Sequence, residues 1–522
     1  MVDAASGGNR QAGKLPRRTV LQALGAAGVS AGVAGVAGTA SASAATDGWR
    51  AFGRRVRAEF ERMGLVGAAV AVVSSDRVLH TETLGVRGLC RRAPIDNSTK
   101  FLVASTTKSM SALLVATHVD EGALRWDERV IDAWPGFRAP TRQLTRTMKV
   151  RDLLGMASGL GEPPALSALH EGDPTAPQLL QSVVNLPVIG PPDTIYFYNN
   201  TVYSLGGYLP LLRSGVGPDQ LTGAYAREMV RRVYQPAGMT GAVIADDPRG
   251  VTDNYANGHG LDLAGRPKVL PYGAVGSYAP AGGTLASLDE MAAYVRLQLR
   301  RGLSVSGRRV VSADNLAECW RPHISIGVSE ELDPSVKESG YGMGWIRNRF
   351  KDGTSLVWHN GGIDGFTSYI GFLPERDIGL VVLNAMNPNP TGPYFYLYVL
   401  NLLLSGRFGL NSGVAAKIDD LYVSEMTKLR AIGRQTRPVD LNAVAPHFGH
   451  YEGGYVLEPI RRDLILRLGS RVLPLREHAD GGYVIAGGLL VEVRVKLGHD
   501  LDGTPTIELV ELETVRRTVG LP

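Results

Sequence analysis

Residues 101–124 read FLVASTTKSMSALLVATHVDEGAL, and the step from Ser105 to Lys108 decides how the rest of the chain is understood. Met110, Leu113 and Leu114 recur at helical spacing, Thr117 continues that face and Gly122 stops the run, so the sequence predicts a helix from Ser105 to Glu121. Residues three apart share one face of a helix, which lets Ser105 and Lys108 touch. Serine is a weak nucleophile until a neighbouring base takes its proton. A lysine taken out of water gives up its charge more readily and becomes such a base. The helix start adds backbone N–H groups and a dipole that favour developing negative charge. Ser-x-x-Lys alone is also what a capping serine and a surface lysine produce. In this chain it occurs once, and it opens an apolar helix directly.

Around that helix the texture is mixed. AAVAVVSSDRVLHTETLG, from Ala68 to Gly85, predicts a β-hairpin turning at Ser75-Asp76. The middle of the chain is mostly helical with Pro- and Gly-rich loops, and strands return at Tyr369–Leu373 and Ile378–Asn384. Strand, helices and more strands without regular βαβ alternation predict an α/β or α+β fold: an antiparallel sheet flanked by helices, with an all-helical subdomain. Asn411-Ser412-Gly413 ends this part, and 411–440 is taken as a linker with a charged, helix-like stretch. From 441 to 522 the pattern is β. Val491–Leu497 and Ile507–Glu513 alternate around the Asp502-Gly503 turn, which predicts a small barrel or sandwich. The catalytic part is placed at 45–410.

Residues 1–44 have the form of a signal peptide: Arg10, Lys14, Arg17 and Arg18, the apolar run Ala23–Ala40, then Ala42-Ser43-Ala44. Arg17-Arg18-Thr19-Val20-Leu21-Gln22 resembles the twin-arginine signal, so the chain is expected to be exported already folded. No other stretch is apolar for long enough to span a membrane. Losing the leader removes four basic residues and Asp3, which lowers the formal charge from +5 to +2. That is no footprint for nucleic acid. Cys90 and Cys319 lie outside any Cys-x-x-Cys, so neither zinc nor redox chemistry is indicated; they are read as isolated small hydrophobes, with pairing after export left open. No cofactor or metal is expected.

Further segments follow in order: VRDLLGMASGL at 150–160, YFYNNTVYSLGGYL with Tyr198 and Asn200, PAGGTLASLDEMAAYVRLQL from Pro280, YGMGW from Tyr341, and WHNGGIDGF with His359 and Gly361. As an ordered set over roughly residues 50–400, this resembles the serine β-lactamase and D-Ala-D-Ala carboxypeptidase superfamily, in its class C-like branch. Met156-Ala157 departs from the usual His-Thr of the second segment. Tyr255-Ala256-Asn257, His170-Glu171-Gly172 and His447-Phe448-Gly449 repeat the short motifs without their flanks and are taken as structural. FGHYEGGY and the strands after it loosely resemble the lipocalin-like domains of some D-aminopeptidases, esterases and peptide cyclases.

The resemblance implies Ser105 as nucleophile, Lys108 and Tyr198 as the groups that move its proton, and Asn200, His359 and Gly361 as substrate contacts. The N–H groups of Ser105 and Gly362 would form the oxyanion hole, each donor worth roughly 3–4 kcal/mol. Histidine at 359 replaces the lysine of the class C motif, and no Glu-x-x-Leu-Asn is present for class A deacylation. The implied activity is that of a D-residue-specific peptidase, amidase or esterase acting on a small-molecule or short-peptide acyl substrate. An acyltransferase passing the group to an amine and a class C-like β-lactamase stay open. A non-catalytic binding relative has no physical need for Ser105, Lys108, Tyr198 and His359 together.

Overall fold

A computed structural model describes residues 42–162, 173–328, 335–386, 391–405, 412–488, 490–510 and 513–520. The leader up to residue 41 and His170-Glu171-Gly172 fall outside them.

The hairpin forms as expected, from β1 (Gly67–Val73) and β2 (Val78–Gly88), with β3 (Arg91–Pro94) at its edge. Six strands from the second half complete the sheet: β4 (Ile324–Ser325), β5 (Val336–Tyr341), β6 (Ile346–Phe350), β7 (Ser355–Ile363), β8 (Phe366–Leu373) and β9 (Ile378–Asn384). Their order is β3-β2-β1-β9-β8-β7-β6-β5-β4, and every pairing is antiparallel. Every residue of β1 and β8 is buried, so both faces of the sheet centre are covered. That explains why GAAVAVV reads as an unbroken apolar run rather than an alternating one. The cover comes from α1 (Ala42–Arg62) and further helices described below.

The helix expected at 105–121 is α2 (Thr107–Asp120), preceded by a 3-10 turn over Ala104–Thr106 that carries Ser105. It is buried from Thr107 to His118, because it runs between the sheet and the helical part of the molecule. The other principal helices are α3 (Asn200–Arg213), α4 (Leu288–Leu299), α5 (Thr391–Leu404) and α6 (Ser412–Arg434). In α4 the Ser287 side chain and Glu290 cap the first turn reciprocally, as the sequence Ser-x-x-Glu requires.

Two expectations are corrected here. The stretch taken as a linker is mostly α6, whose Ile418, Tyr422, Met426 and Leu429 are buried at spacings of four, four and three. That apolar stripe docks the helix on the first core, where Tyr422 lies under the Arg62 guanidinium. Val491–Val493 belongs to a turn, closed by Val491 N–H to Gly488 O and Val493 N–H to Leu490 O, and the strand starts only at Arg494.

The last eight long strands are β10 (Gly449–Tyr451), β11 (Tyr455–Ile460), β12 (Asp463–Leu468), β13 (Arg471–His478), β14 (Tyr483–Ile485), β15 (Arg494–His499), β16 (Pro505–Leu509) and β17 (Glu513–Gly520). They run β13-β12-β11-β10-β17-β16-β15-β14, and β14 pairs back onto β13, which closes a barrel. Tyr455 and Leu457, Leu464, Leu466 and Leu468, and Ile507 and Leu509 fill it at alternate positions. The β12–β13 turn meets the catalytic part: Ser470 N–H donates to Asp173, Ala274 N–H donates to Ser470 Oγ, and Arg471 Nε lies 2.9 Å from Asp364 Oδ2. Cys90 is exposed and Cys319 buried, both free thiols, so the description as a small buried hydrophobe fits only Cys319.

Candidate active site

Four segments converge on the start of α2. The backbone enters it through Ala104, a non-glycine residue at φ 49°, which costs on the order of 1–3 kcal/mol and turns Ser105 out of the core. Ser105 is half-exposed, whereas the residues on either side of it are buried. Strand β7 runs alongside. A methyl group on Gly361 would clash with Val103 O and sit 2.9 Å from Ser105 N, so only glycine lets this strand reach the Ser105 backbone. Gly362, the next residue, is exposed beside it.

The third segment is the start of α3. Asn199 caps it, accepting from Val202 N–H at 2.8 Å, and its amide donates to Gly161 O at 2.9 Å. Phe197 N–H donates to Met156 O, so the VRDLLGMASGL segment props the chain that carries Tyr198 and Asn200. The fourth is the turn Ala279–Gly282 of the PAGG sequence.

Lys108 lies at the centre, wholly buried. Its Nζ is 3.2 Å from Ser105 Oγ, 2.8 Å from Asn200 Oδ1 and 2.8 Å from Ala281 O. It also sits 4.7 Å from the centroid of the Tyr198 ring. Among the described residues no carboxylate pairs with it directly. Burial therefore brings its pKa down to about 7, partly opposed by the more distant charge of Glu162. In the neutral amine two N–H bonds serve Asn200 and Ala281, and the lone pair faces Ser105. Burial pushes the Tyr198 hydroxyl's pKa upward, with nearby Ser105 opposing that rise only in part, so it stays a protonated phenol.

His359 is also buried, at 1% exposure. Its Nδ1–H donates to Asn360 O at 2.5 Å, which leaves Nε2 to accept from the Tyr341 hydroxyl at 3.0 Å. Burial, and then the neighbouring Lys108 charge, hold its pKa down to about 3. It is a neutral ring with both nitrogens occupied.

The structure thus brings Ser105, Lys108, Tyr198, Asn200 and Gly361 together, with His359 behind Tyr341 and Tyr198. The repeated motifs lie elsewhere: Tyr255 packs under Arg91, and His447 stacks on His499 in the barrel. Four participants were not among the expected site residues. Ala281 contributes only a carbonyl, Tyr203 donates to Lys108 O at 2.6 Å, Tyr341 holds His359, and Glu162 caps α3. Ala281, Tyr203 and Tyr341 lie inside the segments PAGGTLASLDEMAAYVRLQL, YFYNNTVYSLGGYL and YGMGW, whereas Glu162 lies outside all of them.

A family model described as Beta-lactamase matches residues 52–402, which is more than half of the sequence and contains all of these groups. The chain belongs to this family. Among its relatives are penicillin-binding protein 4 of Amycolatopsis lactamdurans, 27% identical over 390 residues that cover 74% of this chain and 93% of that one. The unguisins hydrolase of Aspergillus violaceofuscus is 25% identical over 364 residues, 64% of this chain. This chain spans only 60% of that hydrolase's length. Among solved structures, the octameric penicillin-binding protein homologue from Pyrococcus abyssi aligns with a TM-score of 0.56 at 20% identity, over 89% of this chain and 99% of that one. The likeness establishes the fold as penicillin-binding-protein-like.

Proposed function

We propose that this member of the family is an exported serine acyl-transfer enzyme, acting as a peptidase or amidase beside a D-residue or as an esterase. One observation carries it: a fully buried, carboxylate-free Lys108 Nζ stands 3.2 Å from the accessible Ser105 Oγ. Lys108 in its neutral form takes the Ser105 proton as Oγ attacks the acyl carbon. The oxyanion forms between the N–H groups of Ser105 and Gly362. Tyr198, a protonated phenol, gives its proton to the leaving group and regains one from Lys108, which leaves the acyl-enzyme. Asn200 orients both Lys108 and the substrate amide. A water or an amine in the vacated leaving-group site then attacks, with Tyr198 and Lys108 running the same path in reverse.

The neutral, fully engaged His359 supports substrates without a carboxylate at that position over β-lactams. The relatives named as a hydrolase and as a penicillin-binding protein fit acyl-enzyme chemistry. Arg17-Arg18 and the alanine cleavage site support export by the twin-arginine route. A fluorophosphonate should label Ser105, located by peptide mapping. p-Nitrophenyl esters, D-amino-acid amides and D-Ala-D-Ala peptides, each with and without added amine, should separate hydrolysis from transfer. Fast penicillin turnover without ester or peptide activity would make the chain a β-lactamase instead.

A further inference from the structure

Glu162 is a carboxylate at 3% exposure, 54 residues from Lys108 in sequence and in no motif. Its Oε1 accepts from Thr201 N–H at 2.8 Å and Thr201 Oγ–H at 2.7 Å, and its Oε2 accepts from Asn200 N–H at 3.2 Å. All three donors point toward it, as an ionised carboxylate requires. Burial raises its pKa while the donors and Lys108 oppose that rise. Asn199 already caps this helix through Val202 N–H, so Glu162 is a second acceptor at one helix start. The residue it grips, Asn200, is the one whose Oδ1 receives the Lys108 ammonium or amine.

The groups facing Lys108 come from every element around it. They are Ser105 on its own turn, Tyr198, Asn200 and Tyr203 from α3 and its approach, His359 from β7 with Tyr341 of β5 bonded to it, and the Ala281 carbonyl. The tyrosines and His359 are neutral near pH 7, so among the described residues the charge that acts on Lys108 is that of Glu162.

We propose that Glu162 is the positioning residue of the base: through the first turn of α3 it fixes Asn200 on Lys108, and its negative charge holds the proton on Lys108. This rests on Lys108 being the base for Ser105. Geometry and charge then separate in variants. Glu162→Gln keeps an acceptor for Thr201 and removes the charge. Glu162→Asp keeps the charge and shortens the reach by one methylene.

The test is the rate of fluorophosphonate labelling of Ser105 in the full chain from pH 5.5 to 9, read by intact mass. Wild type should show an acidic limb near pH 7. Glu162→Gln should move that limb down by one half to one pH unit, so that labelling at pH 6, relative to each protein's own plateau, is about three- to fivefold faster than in wild type. Its plateau above pH 8 should fall less than tenfold. Glu162→Asp should leave the limb in place and lower the plateau. A Glu162→Gln limb that coincides with wild type overturns the proposal. So does a Glu162→Asp limb that moves down by one half pH unit or more from wild type, an outcome readable even if the glutamine variant does not fold. Absence of labelling, or labelling with no pH limb in wild type, would instead defeat the role of Lys108 itself.

Discussion

The start of α2 and the turn between β12 and β13 each bury a cation, and they treat it in opposite ways. Arg471, at 4% exposure, has Nε 2.9 Å from Asp364 Oδ2 and Nη1 3.6 Å from Asp173 Oδ1. Lys108 is buried more completely and has only neutral oxygens within hydrogen-bonding distance. A buried charge without a counter-charge is costly, and proteins relieve it by neutralising the group. The compensated cation therefore joins two parts of the molecule, while the uncompensated one is a lysine poised to lose its proton. Carrying Lys108 charged, with its pKa at about 7 instead of 10.5, costs roughly 4–5 kcal/mol. The fold accepts that cost beside the half-exposed serine of α2's entry turn.

The sharpest break would come from exchanging function for stability at the two sites. Ser105→Ala should abolish labelling and lower turnover by at least about 10³-fold, and Lys108→Met should lower acylation by about 10²–10⁴-fold. Both should leave the barrel contact intact by proteolysis. Arg471→Met should do the reverse. It leaves Asp364 and Asp173 without their partner and should cost about 3–5 kcal/mol in chemical denaturation, with Ser105 still labelled at low temperature. A stable Arg471→Met protein would show that the contact holds nothing together.

A smaller effect lies in the pH dependence of stability. The folded pKa of Lys108 is depressed, so between pH 7 and about 10 the unfolded chain binds the extra proton and stability rises with pH. The slope from this one group is about 1.4 kcal/mol per pH unit. Lys108→Met should lose that slope, so that its melting curve, measured from pH 7 to 10, flattens relative to wild type. Tyr198→Phe, which keeps the ring over Lys108 but removes the proton relay, should slow ester turnover by about 10²-fold. Last, His359→Lys should change ester turnover by less than about tenfold. If it raises reaction with carboxylate-bearing penicillins, the neutral ring is what limits them.

How much of this could be read beforehand follows from what each residue contributes. Ser105 and Lys108 were legible because a three-residue step fixes their contact within one helix. The hairpin at Ala68–Gly85 and the barrel's alternating strands were legible for the same local reason. Glu162 was not, because its partners Asn200 and Thr201 come from a helix that only the tertiary fold brings to it. Ala281 acts through a carbonyl, and every residue has one of those. The helical character of α6 was legible, but it was placed in a linker because its charged residues dominate the text, and only the tertiary fold shows Ile418, Tyr422, Met426 and Leu429 docked on the core. The barrel's Arg471 gave no sign of reaching Asp364, since no local pattern records contacts between distant strands.

The central pairing of the large sheet has a consequence in time. Ala68 lies opposite Asn384 and Val73 opposite Gly379, so the middle of the sheet joins the first of its nine strands in chain order to the last. At about 5–20 residues per second, a ribosome needs roughly 15–60 s after β1 emerges to supply its partner. During that interval GAAVAVV has β2 on one side only, and Ser105 lacks the Gly361 strand that completes its surroundings. A chain threaded outward as it is made would present that apolar edge on the far side of the membrane. One that waits until β9 has arrived would cross with the edge already closed, which is the order of events that the proposed twin-arginine route permits.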